Sequence, residues 1–469
     1  MALRVLIPAL ALLAACSGPA PSSRAQAGPP LPAPRRIPPN AQVMNLSFAP
    51  IVKLVAPAVV NVYSRRVVRT QFDPFWGLFA GIPRSTIQQS LGSGSIVRSD
   101  GVILTNHHVI AGAEEIMVVT SDRRQWPAKV ILDDPRADLA VLKIDAKGES
   151  LPTIAIDAAD QPKVGDLVLA IGDPFGVGQT VTNGIVSALA RSDVETNNYA
   201  SFIQTDAPIN PGNSGGPLVN MAGDLIGVNT AIVSSSGASA GIGFAIPAVM
   251  AKQVVDAALG GVHEVVRPWL GVKSQTLTEE MAQSLGLSAP QGVVAAEVWP
   301  GGPAARAGIT QGDVIASVDG AAVNDPGSLQ YQVGTHAPGD VLSVVVRHNG
   351  GPARTLQVRV AAPPDVPPPD LRTIGGNNPF SGAKVVNFSP AEAYQIGVDP
   401  FSGRGVLVES VGPGLAQNIG IQPGDFIREV NGRPISSTAQ LASALSAGAG
   451  QWTISLERAG RTITAQFSD

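Results

Sequence analysis

Two stretches in the second half of the chain repeat each other about 112 residues apart. Each contains a Pro-Gly step, a short Ala-containing run and a Gly-Asp pair before an apolar strand; they are Gly292–Ile315 and Gly405–Ile427. Asp319-Gly320 and Asn431-Gly432 follow at matching places and are typical of hairpin turns. A repeat of this length is too long for a solenoid unit. The sequence therefore predicts two small domains of one fold.

Each repeat ends with a predicted helix that has its own capping residue. Asp325, directly before Pro326, is the cap of the first helix. Ser437 is the cap of the second, and Gln440 stands three residues later at the reciprocal position of a capping box. Both helices are therefore expected to begin at these residues.

The region before the repeats consists of short apolar runs. The chain has 469 residues, so about three domains are expected. Its 51 glycines and 40 prolines favour turn-rich β structure with linkers. Runs such as Leu139–Ile144 and Leu167–Ile171 alternate with turn residues between positions 46 and 246, which is typical of an antiparallel barrel or sandwich. Pro247–Leu259 is predicted to be a helix that Gly260-Gly261 ends.

A glycine-rich segment, Asn210-Pro-Gly-Asn-Ser-Gly-Gly-Pro-Leu218, contains the candidate nucleophile Ser214. Glycine adopts positive φ angles easily, so this segment can turn sharply. Such a turn exposes a hydroxyl and directs successive N–H groups into one space, as an oxyanion hole requires. The same residues also occur in ordinary β-turns. Catalysis therefore depends on partners elsewhere in the chain.

A serine nucleophile needs an oriented base. Two of the five histidines, His107 and His108, lie in the segment 101–110. Asp138 lies at the mouth of an apolar strand, where a carboxylate is costly unless it is hydrogen-bonded. Consecutive strand residues point to opposite faces, so only one histidine can face Ser214. Each motif alone also fits a structural role, but three of them in the order His, Asp, Ser favour catalysis.

The segments Thr105-Asn-His-His-Val109, Asp138-Leu-Ala-Val-Leu-Lys143 and Gly212-Asn-Ser-Gly-Gly-Pro217 resemble the HtrA (DegP/Do-like) serine endoproteases. The resemblance covers nearly the whole chain after residue 45. It implies an all-β dominated fold, with a chymotrypsin-like double β-barrel followed by two small α+β PDZ domains. It also implies His108 as the base, with Asp138 and Ser214 completing the triad.

The same resemblance implies further site residues. The oxyanion hole is assigned to Gly212, Asn213 and Ser214, and the wall of the substrate pocket to Ile209 and Ile232. The position six residues before the nucleophile, which is acidic in enzymes that cleave after basic residues, is Pro208 here. We therefore expect cleavage after small aliphatic residues such as Val or Ala.

The resemblance also implies partners. Leu270, Gly271 and Val272 match the loop that receives a peptide carboxylate in the first PDZ domain, whereas Ser381–Val385 departs from that pattern in the second. The expected partners are unfolded or misfolded proteins and C-terminal peptides. The family further implies a homotrimer or a multiple of trimers, with peptide binding at the first PDZ domain regulating the loops beside the active site.

The amino terminus resembles an export signal. Arg4 precedes an apolar run, Val5–Ala15, that is too short to span a bilayer. Leu13-Ala-Ala-Cys16 resembles a bacterial lipobox, which predicts lipidation at Cys16, while cleavage after Ala25-Gln-Ala27 would instead release a soluble protein. The expected location is the periplasm of a Gram-negative-type bacterium. A single cysteine allows no intrachain disulfide.

Composition excludes several other function classes. A net charge of −4 without a basic cluster argues against a nucleic-acid partner. No metal or other cofactor is expected, since the histidine pair lacks the further ligands of a zinc site. The rival hypothesis is a chaperone that captures proteins through its PDZ domains and the aromatic segment 72–79.

The predicted boundaries are a signal peptide at 1–15, a tether at 16–45, a protease domain at 46–261, PDZ domains at 266–361 and 374–469, and a Pro-rich linker at 362–373.

Overall fold

The structure of the protein is a computed structural model. The structure describes residues 47–69, 85–159, 161–173, 178–191, 202–210, 212–232, 241–262, 264–396, 398–446 and 450–468. The predicted signal peptide, Cys16, the tether and the aromatic segment 72–79 lie outside these residues. Within the described ranges, no helix has the length and apolar character needed to cross a membrane.

The first barrel follows a short helix, α1 (Ala49–Val55), and a 3-10 turn, Ala56–Ala58. Six antiparallel strands close in the order β1-β2-β3-β6-β5-β4, and helix α2 (His107–Ile110) follows the third of them. The strands are β1 (Val59–Arg69), β2 (Ser85–Arg98), β3 (Val102–Thr105), β4 (Glu115–Val119), β5 (Gln125–Asp134) and β6 (Leu139–Ile144). The apolar residues of β6 are all buried, and Lys143 alone is partly exposed.

The second barrel has the same number of strands, closed in the order β10-β11-β12-β9-β8-β7. They are β7 (Leu167–Gly172), β8 (Thr180–Arg191), β9 (Phe202–Thr205), β10 (Pro217–Val219), β11 (Leu225–Ile232) and β12 (Gly243–Pro247). Helix α3 (Ala248–Leu259) follows, with Pro247 directly before it and Gly260 at its end. The helix predicted from the sequence is thereby confirmed, one residue shorter at its start.

The third unit is a mostly antiparallel sheet with three short helices. Its sheet has the order β13-β14-β15-β17-β18, and β16 pairs with β15. The elements are β13 (Val272–Thr276), α4 (Glu279–Ser284), β14 (Val293–Val298), α5 (Pro303–Ala307), β15 (Val314–Val318), β16 (Ala321–Ala322), α6 (Pro326–Gly334), β17 (Val341–Arg347) and β18 (Ala353–Arg359). Alternate residues of β17 are buried, as a half-buried strand requires.

The fourth unit repeats this arrangement with one additional edge strand. Its sheet has the order β19-β20-β21-β22-β24-β25, and β23 pairs with β22. The elements are β19 (Arg372–Thr373), β20 (Ala383–Phe388), α7 (Pro390–Ile396), β21 (Gly405–Val411), α8 (Leu415–Asn418), β22 (Phe426–Val430), β23 (Arg433–Pro434), α9 (Thr438–Ser446), β24 (Gln451–Arg458) and β25 (Arg461–Ser468). The two repeats found in the sequence thus correspond to two copies of one fold.

The local signals within the repeats agree with the structure. Both predicted hairpin turns have two successive residues with positive φ, 48° and 80° at Asp319 and Gly320 and 52° and 72° at Asn431 and Gly432. The Asp325 carboxylate accepts a hydrogen bond from the Ser328 N–H at 2.8 Å and caps α6. In α9 the Gln440 side chain accepts from the N–H of Ser436, one residue before the predicted cap.

Candidate active site

Three side chains from separate segments belong to one row of contacts between the two barrels, in which His108 contacts Asp138 and Thr230 joins Asp138 to Ser214. Ser214 lies in the turn 212–215 before β10, and His108 lies in α2. Asp138 lies in the turn between β5 and β6. Two of these segments belong to the first barrel and one to the second, so the site forms only when both barrels are folded and packed.

His108 and Asp138 form a two-point contact. The Nδ1 atom of His108 lies 2.8 Å from Oδ2 and 2.9 Å from Oδ1 of Asp138, and the His108 backbone N–H donates to Oδ1 at 2.9 Å. Asp138 itself has a φ of 53°, in the left-handed region, and the Asn106 side chain donates to its carbonyl at 2.8 Å. These contacts fix the direction of both the carboxylate and the imidazole, and they leave Nε2 as the nitrogen that can take a proton.

The charge of Asp138 is stabilised by its neighbours. Burial raises the pKa of the Asp138 carboxyl, but the hydrogen bonds and charge of His108, together with the Thr230 hydroxyl, outweigh burial and hold this pKa below its ordinary value. The group therefore stays ionised at neutral pH. An ionised carboxylate in this position stabilises the imidazolium that forms when His108 takes a proton.

Thr230, on β11, contacts both ends of this row and was missed by the sequence analysis. Its hydroxyl donates a short hydrogen bond to Oδ2 of Asp138, while its carbonyl accepts a hydrogen bond from the Ser214 hydroxyl at 2.9 Å. Thr230 is buried. It thus links the carboxylate of the first barrel to the serine of the second. No motif in the sequence marks this threonine.

His107 has a different partner from its neighbour. Its Nδ1 atom lies 2.7 Å from Oδ1 of Asp133, away from the Asp138 carboxylate. The expectation that the two histidines alternate along a strand was wrong, because both lie in the short helix α2. Successive helical residues still point in different directions, and His108 is the one that reaches Asp138.

The turn that carries Ser214 is held by unusual backbone geometry. Gly212 and Gly215 have φ angles of 108° and 82°. A Cβ atom on Gly215 would lie 2.1 Å from the Ser93 carbonyl oxygen, so only glycine fits there. Among the described residues, no acceptor is recorded for the N–H groups of Gly212 and Ser214. The N–H of Asn213, in contrast, donates to the Asn210 carbonyl at 3.0 Å.

Ser93, on β2, fixes this turn from the first barrel. Its N–H donates to the Ser214 carbonyl at 2.8 Å, and its hydroxyl donates to the Gly212 carbonyl at 2.5 Å. The same hydroxyl accepts from the Asp173 N–H at 2.8 Å. The sequence around Ser93, Gly92-Ser-Gly-Ser95, gave no functional signal. Its role depends on contacts with residues 80 or more positions away in the chain.

The two predicted pocket residues lie on the second barrel. Ile209 is 1% exposed and packs in the barrel's apolar core. A Cβ atom on Gly243 would lie only 2.5 Å from Cγ1 of Ile209, so these positions are tightly packed. Ile232 ends β11, and its side chain is outside the described part of the chain. The Pro208 carbonyl accepts from the Thr182 hydroxyl at 2.8 Å.

The predicted peptide loop of the third unit borders a groove. Leu270, Gly271 and Val272 line one side of a cavity of about 180 Å³, and residues of α6 line the other. Gly271 has a φ of 77°. Arg267 also lines this groove and forms a buried ion pair with Asp134, the last residue of β5. The groove is therefore in direct contact with the turn that carries Asp138.

Family models match three parts of the chain. The Trypsin-like peptidase domain matches residues 92–228, which span both barrels. The PDZ domain matches residues 268–360, and a further PDZ domain model matches residues 407–458. The double barrel followed by two PDZ sheets agrees with the fold class predicted from the sequence.

Relatives from other bacteria match over most of the chain. A probable periplasmic serine endoprotease DegP-like of Marinomonas sp. (strain MWYL1) is 38% identical over 419 residues, 84% of this chain and 87% of that protein. One of Pseudomonas putida (strain W619) is 40% identical over 423 residues, 84% of this chain and 86% of that protein. The solved structure "HtrA-type protease AlgW with decapeptide" has a TM-score of 0.51 and 45% identity, covering 68% of this chain and 99% of its own.

Replacing Thr230 by valine tests the link between the barrels. Thr230→Val keeps the shape of the side chain but removes the hydroxyl that donates to Asp138. A hydrogen bond to a charged group contributes roughly 1.5–3 kcal/mol, so we expect kcat/KM for a peptide substrate to fall about 10- to 100-fold. Thr230→Ser, which retains the hydroxyl, is the control. Full activity of the valine variant, with unchanged circular dichroism, would contradict this role.

Proposed function

The chain belongs to the HtrA-type, DegP-like serine endoproteases, and from this premise we propose that it degrades misfolded proteins in the bacterial periplasm through Ser214, His108 and Asp138. The observation that carries the assignment is the two-point contact between His108 and Asp138, with Thr230 joining Asp138 to Ser214. No ATP or metal enters the proposed reaction.

The proposed reaction has two stages. The Ser214 hydroxyl turns from the Thr230 carbonyl to Nε2 of His108, gives up its proton there, and attacks the carbonyl carbon of the peptide bond. His108 then donates this proton to the leaving amine, and an acyl-enzyme remains. Water attacks the ester carbon with His108 again acting as base, which releases the acid and restores Ser214.

The oxyanion hole is proposed from the backbone of the glycine-rich turn. The N–H groups of Gly212 and Ser214 are the donors, and one such donor typically contributes about 3 kcal/mol of transition-state stabilisation. Asn213 is a weaker candidate, because its N–H already donates to the Asn210 carbonyl. A conformational change of residues 210–213 would be needed before Asn213 contributes.

The proposed substrate preference is for small aliphatic residues before the cleaved bond. Pro208 occupies the position at which a carboxylate would bind Lys or Arg, and Ile209 and Ile232 are the proposed wall. A Cβ atom on Gly243 would lie 2.5 Å from Cγ1 of Ile209, so these two positions are closely packed. A pocket wall without a carboxylate favours Val or Ala over a basic residue.

Regulation is proposed to pass through the first PDZ domain. Its peptide groove contains Arg267, which pairs with Asp134 while both side chains are buried. The other oxygen of Asp134 accepts from the N–H groups of Arg136 and Ala137 at 3.3 Å each, in the turn that leads to Asp138. A peptide that moves Arg267 thus changes the support of the catalytic turn. The solved relatives with a decapeptide or a tripeptide support peptide binding by this chain.

The cellular setting is proposed from the relatives and the amino-terminal motif. Relatives named periplasmic support that compartment. Cys16 in its lipobox is the proposed attachment point of a lipid anchor, and the family resemblance supports assembly into homotrimers or multiples of trimers. The proposed substrates are unfolded proteins, and C-terminal peptides are the proposed regulators.

Digestion of casein, an unfolded protein, tests the catalytic proposal. We expect wild type to cleave casein mainly after Val and Ala, and Ser214→Ala to bind casein without cleaving it, because removing the nucleophile leaves only a small residual rate. Mass spectrometry of the products identifies the cleaved bonds. Mainly Lys or Arg before the cut would refute the pocket assignment, and equal, negligible cleavage by both proteins would favour the chaperone hypothesis.

Removing the buried ion pair tests the regulatory proposal. In Asp134→Asn/Arg267→Met both charges are absent, so no unpaired buried charge is left. Coupling between two sites typically changes affinity by about 5- to 150-fold. We expect the double variant to lose this coupling, so that the ratio of peptide-stimulated to basal activity falls toward one. Lys252→Met, which removes an exposed i,i+4 ion pair on α3, is the control. Unchanged stimulation in the double variant would contradict the proposal.

The amino terminus of the mature protein tests the anchor. We expect mass spectrometry of the protein purified from bacterial envelopes to find Cys16 as the first residue, carrying lipid. Cys16→Ser is expected to release the protein into the soluble periplasmic fraction. A mature terminus at residue 28, after Ala25-Gln-Ala27, would show the other processing route and reject lipidation.

A further inference from the structure

The segment 368–374, between the two PDZ domains, lies along the second domain. The side chain of Asn387, on β20, donates to the Pro368 carbonyl at 3.0 Å. Two residues later, the Asp370 carboxylate accepts from the hydroxyl of Thr438, the first residue of α9, at 2.7 Å. The segment therefore runs between β20 and α9. We call residues 370–374 the linker strand.

The linker strand adds to the edge of β20 in antiparallel register. Arg372 is opposite Val385, and Thr373 is opposite Lys384. At its end the Ile374 N–H donates to the Ala383 carbonyl at 2.8 Å, and the Ile374 carbonyl accepts from the Gly382 N–H at 2.8 Å. A ligand of a PDZ domain binds in the same way, as an added strand whose terminal oxygen atoms accept from loop N–H groups.

The loop that holds Ile374 is equivalent to the peptide loop of the first PDZ domain. Gly271 and Gly382 both have positive φ, 77° and 89°. The Gly271 carbonyl accepts from the Trp299 N–H at 2.8 Å, and the Gly382 carbonyl accepts from the Gly412 N–H at the same distance. The preceding carbonyls, of Leu270 and Ser381, accept from Ala304 and Ala416. Residues 381–385 depart from the sequence pattern of a carboxylate-binding loop. The loop nevertheless has the same positive φ at its glycine and the same backbone hydrogen bonds as the loop of the first PDZ domain.

The side chain of Ile374 occupies an apolar pocket. It is 6% exposed and belongs to the same buried cluster as Phe380 of the loop and Leu441 and Leu445 of α9. Leu371, three residues earlier in the linker strand, is 57% exposed. Burial is thus specific to the residue whose carbonyl meets the loop, which is the position of the last residue of a peptide ligand.

The first PDZ domain differs at this edge. Within the described part of the chain, β13 pairs only with β14, and the groove between β13 and α6 is open. The second domain has β19 as a further strand at the corresponding edge. The two copies of the fold thus have the same loop, with one groove open and the other filled by the chain itself.

We propose that the linker strand is an internal ligand of the second PDZ domain, and that this domain binds C-terminal peptides ending in an aliphatic residue once the strand is displaced. A free carboxylate provides two charged oxygen atoms where Ile374 provides one neutral carbonyl, so it binds the loop more strongly. The internal strand competes because its effective concentration is about millimolar. This inference does not depend on the proteolytic function.

Peptide stoichiometry tests the proposal. The probe is a synthetic peptide ending in Leu-Arg-Thr-Ile with a free carboxylate, titrated calorimetrically into full-length protein carrying Ser214→Ala so that nothing is cleaved. We expect Ile374→Gly, which empties the pocket, to bind one more peptide per chain than the parent. The carboxamide form of the peptide is expected to lose at least tenfold in affinity at the added site. Hydrogen exchange is expected to show new protection of the Gly382 N–H on binding.

Two further variants make the test decisive. Asp370→Ala removes the contact with Thr438 but leaves the core intact, so it covers the case in which Ile374→Gly fails to fold; we expect the added site to appear here too. Leu371→Ser changes an exposed side chain of the same linker strand. It is the matched control and is expected to bind as many peptides per chain as the parent does. Parent stoichiometry in both Ile374→Gly and Asp370→Ala, with folded protein, would overturn the proposal.

Discussion

The hydrogen bonds of Ser93 hold the catalytic turn of the second barrel against the first. Its N–H and hydroxyl bind the carbonyls of Ser214 and Gly212, and the hydroxyl also accepts from Asp173. The Ser93 carbonyl is in turn held by the Thr105 hydroxyl at 2.7 Å. Ser93, Thr105, Gly212 and Asp173 are buried. Each buried donor or acceptor left unpaired would cost roughly 1–3 kcal/mol. The same hydrogen bonds therefore hold the two barrels together and set the position of Ser214.

The turn 134–138 connects the catalytic row to the first PDZ domain. Its first residue, Asp134, pairs with Arg267 in the peptide groove, and its last, Asp138, orients His108. The positive φ of Asp138 requires support from its surroundings, because a residue other than glycine is strained there. The Asn106 side chain supplies one such contact by donating to the Asp138 carbonyl. The turn of five residues, 134–138, thus joins the residue that pairs with Arg267 to the residue that contacts His108.

The sequence predicted the fold class and the three polar side chains because each lies in a local motif with its own glycine or apolar signature. Thr230 and Ser93 could not be predicted in this way. Ser93 binds backbone groups of residues far away in the chain, and Thr230 contacts the side chains of Asp138 and Ser214 through its hydroxyl and its carbonyl. Such contacts leave no pattern of residue types. The choice of His108 came from the family resemblance, whereas the argument that the two histidines alternate along a strand was wrong, since α2 is helical.

The composition of the Pro-rich linker does not predict that the chain after it pairs with β20. Pro363–Pro369 is typical of a stiff spacer, because proline has no N–H to pair and favours extended backbone. The same extended backbone is suited to lie along a sheet. The prolines end at residue 369, and the residues that follow regain N–H groups at the point where pairing with β20 begins. An exposed sheet edge is unstable against such pairing unless it is covered. The edge of the second PDZ domain is covered by its own chain, whereas in the described part of the chain β13 of the first pairs only with β14.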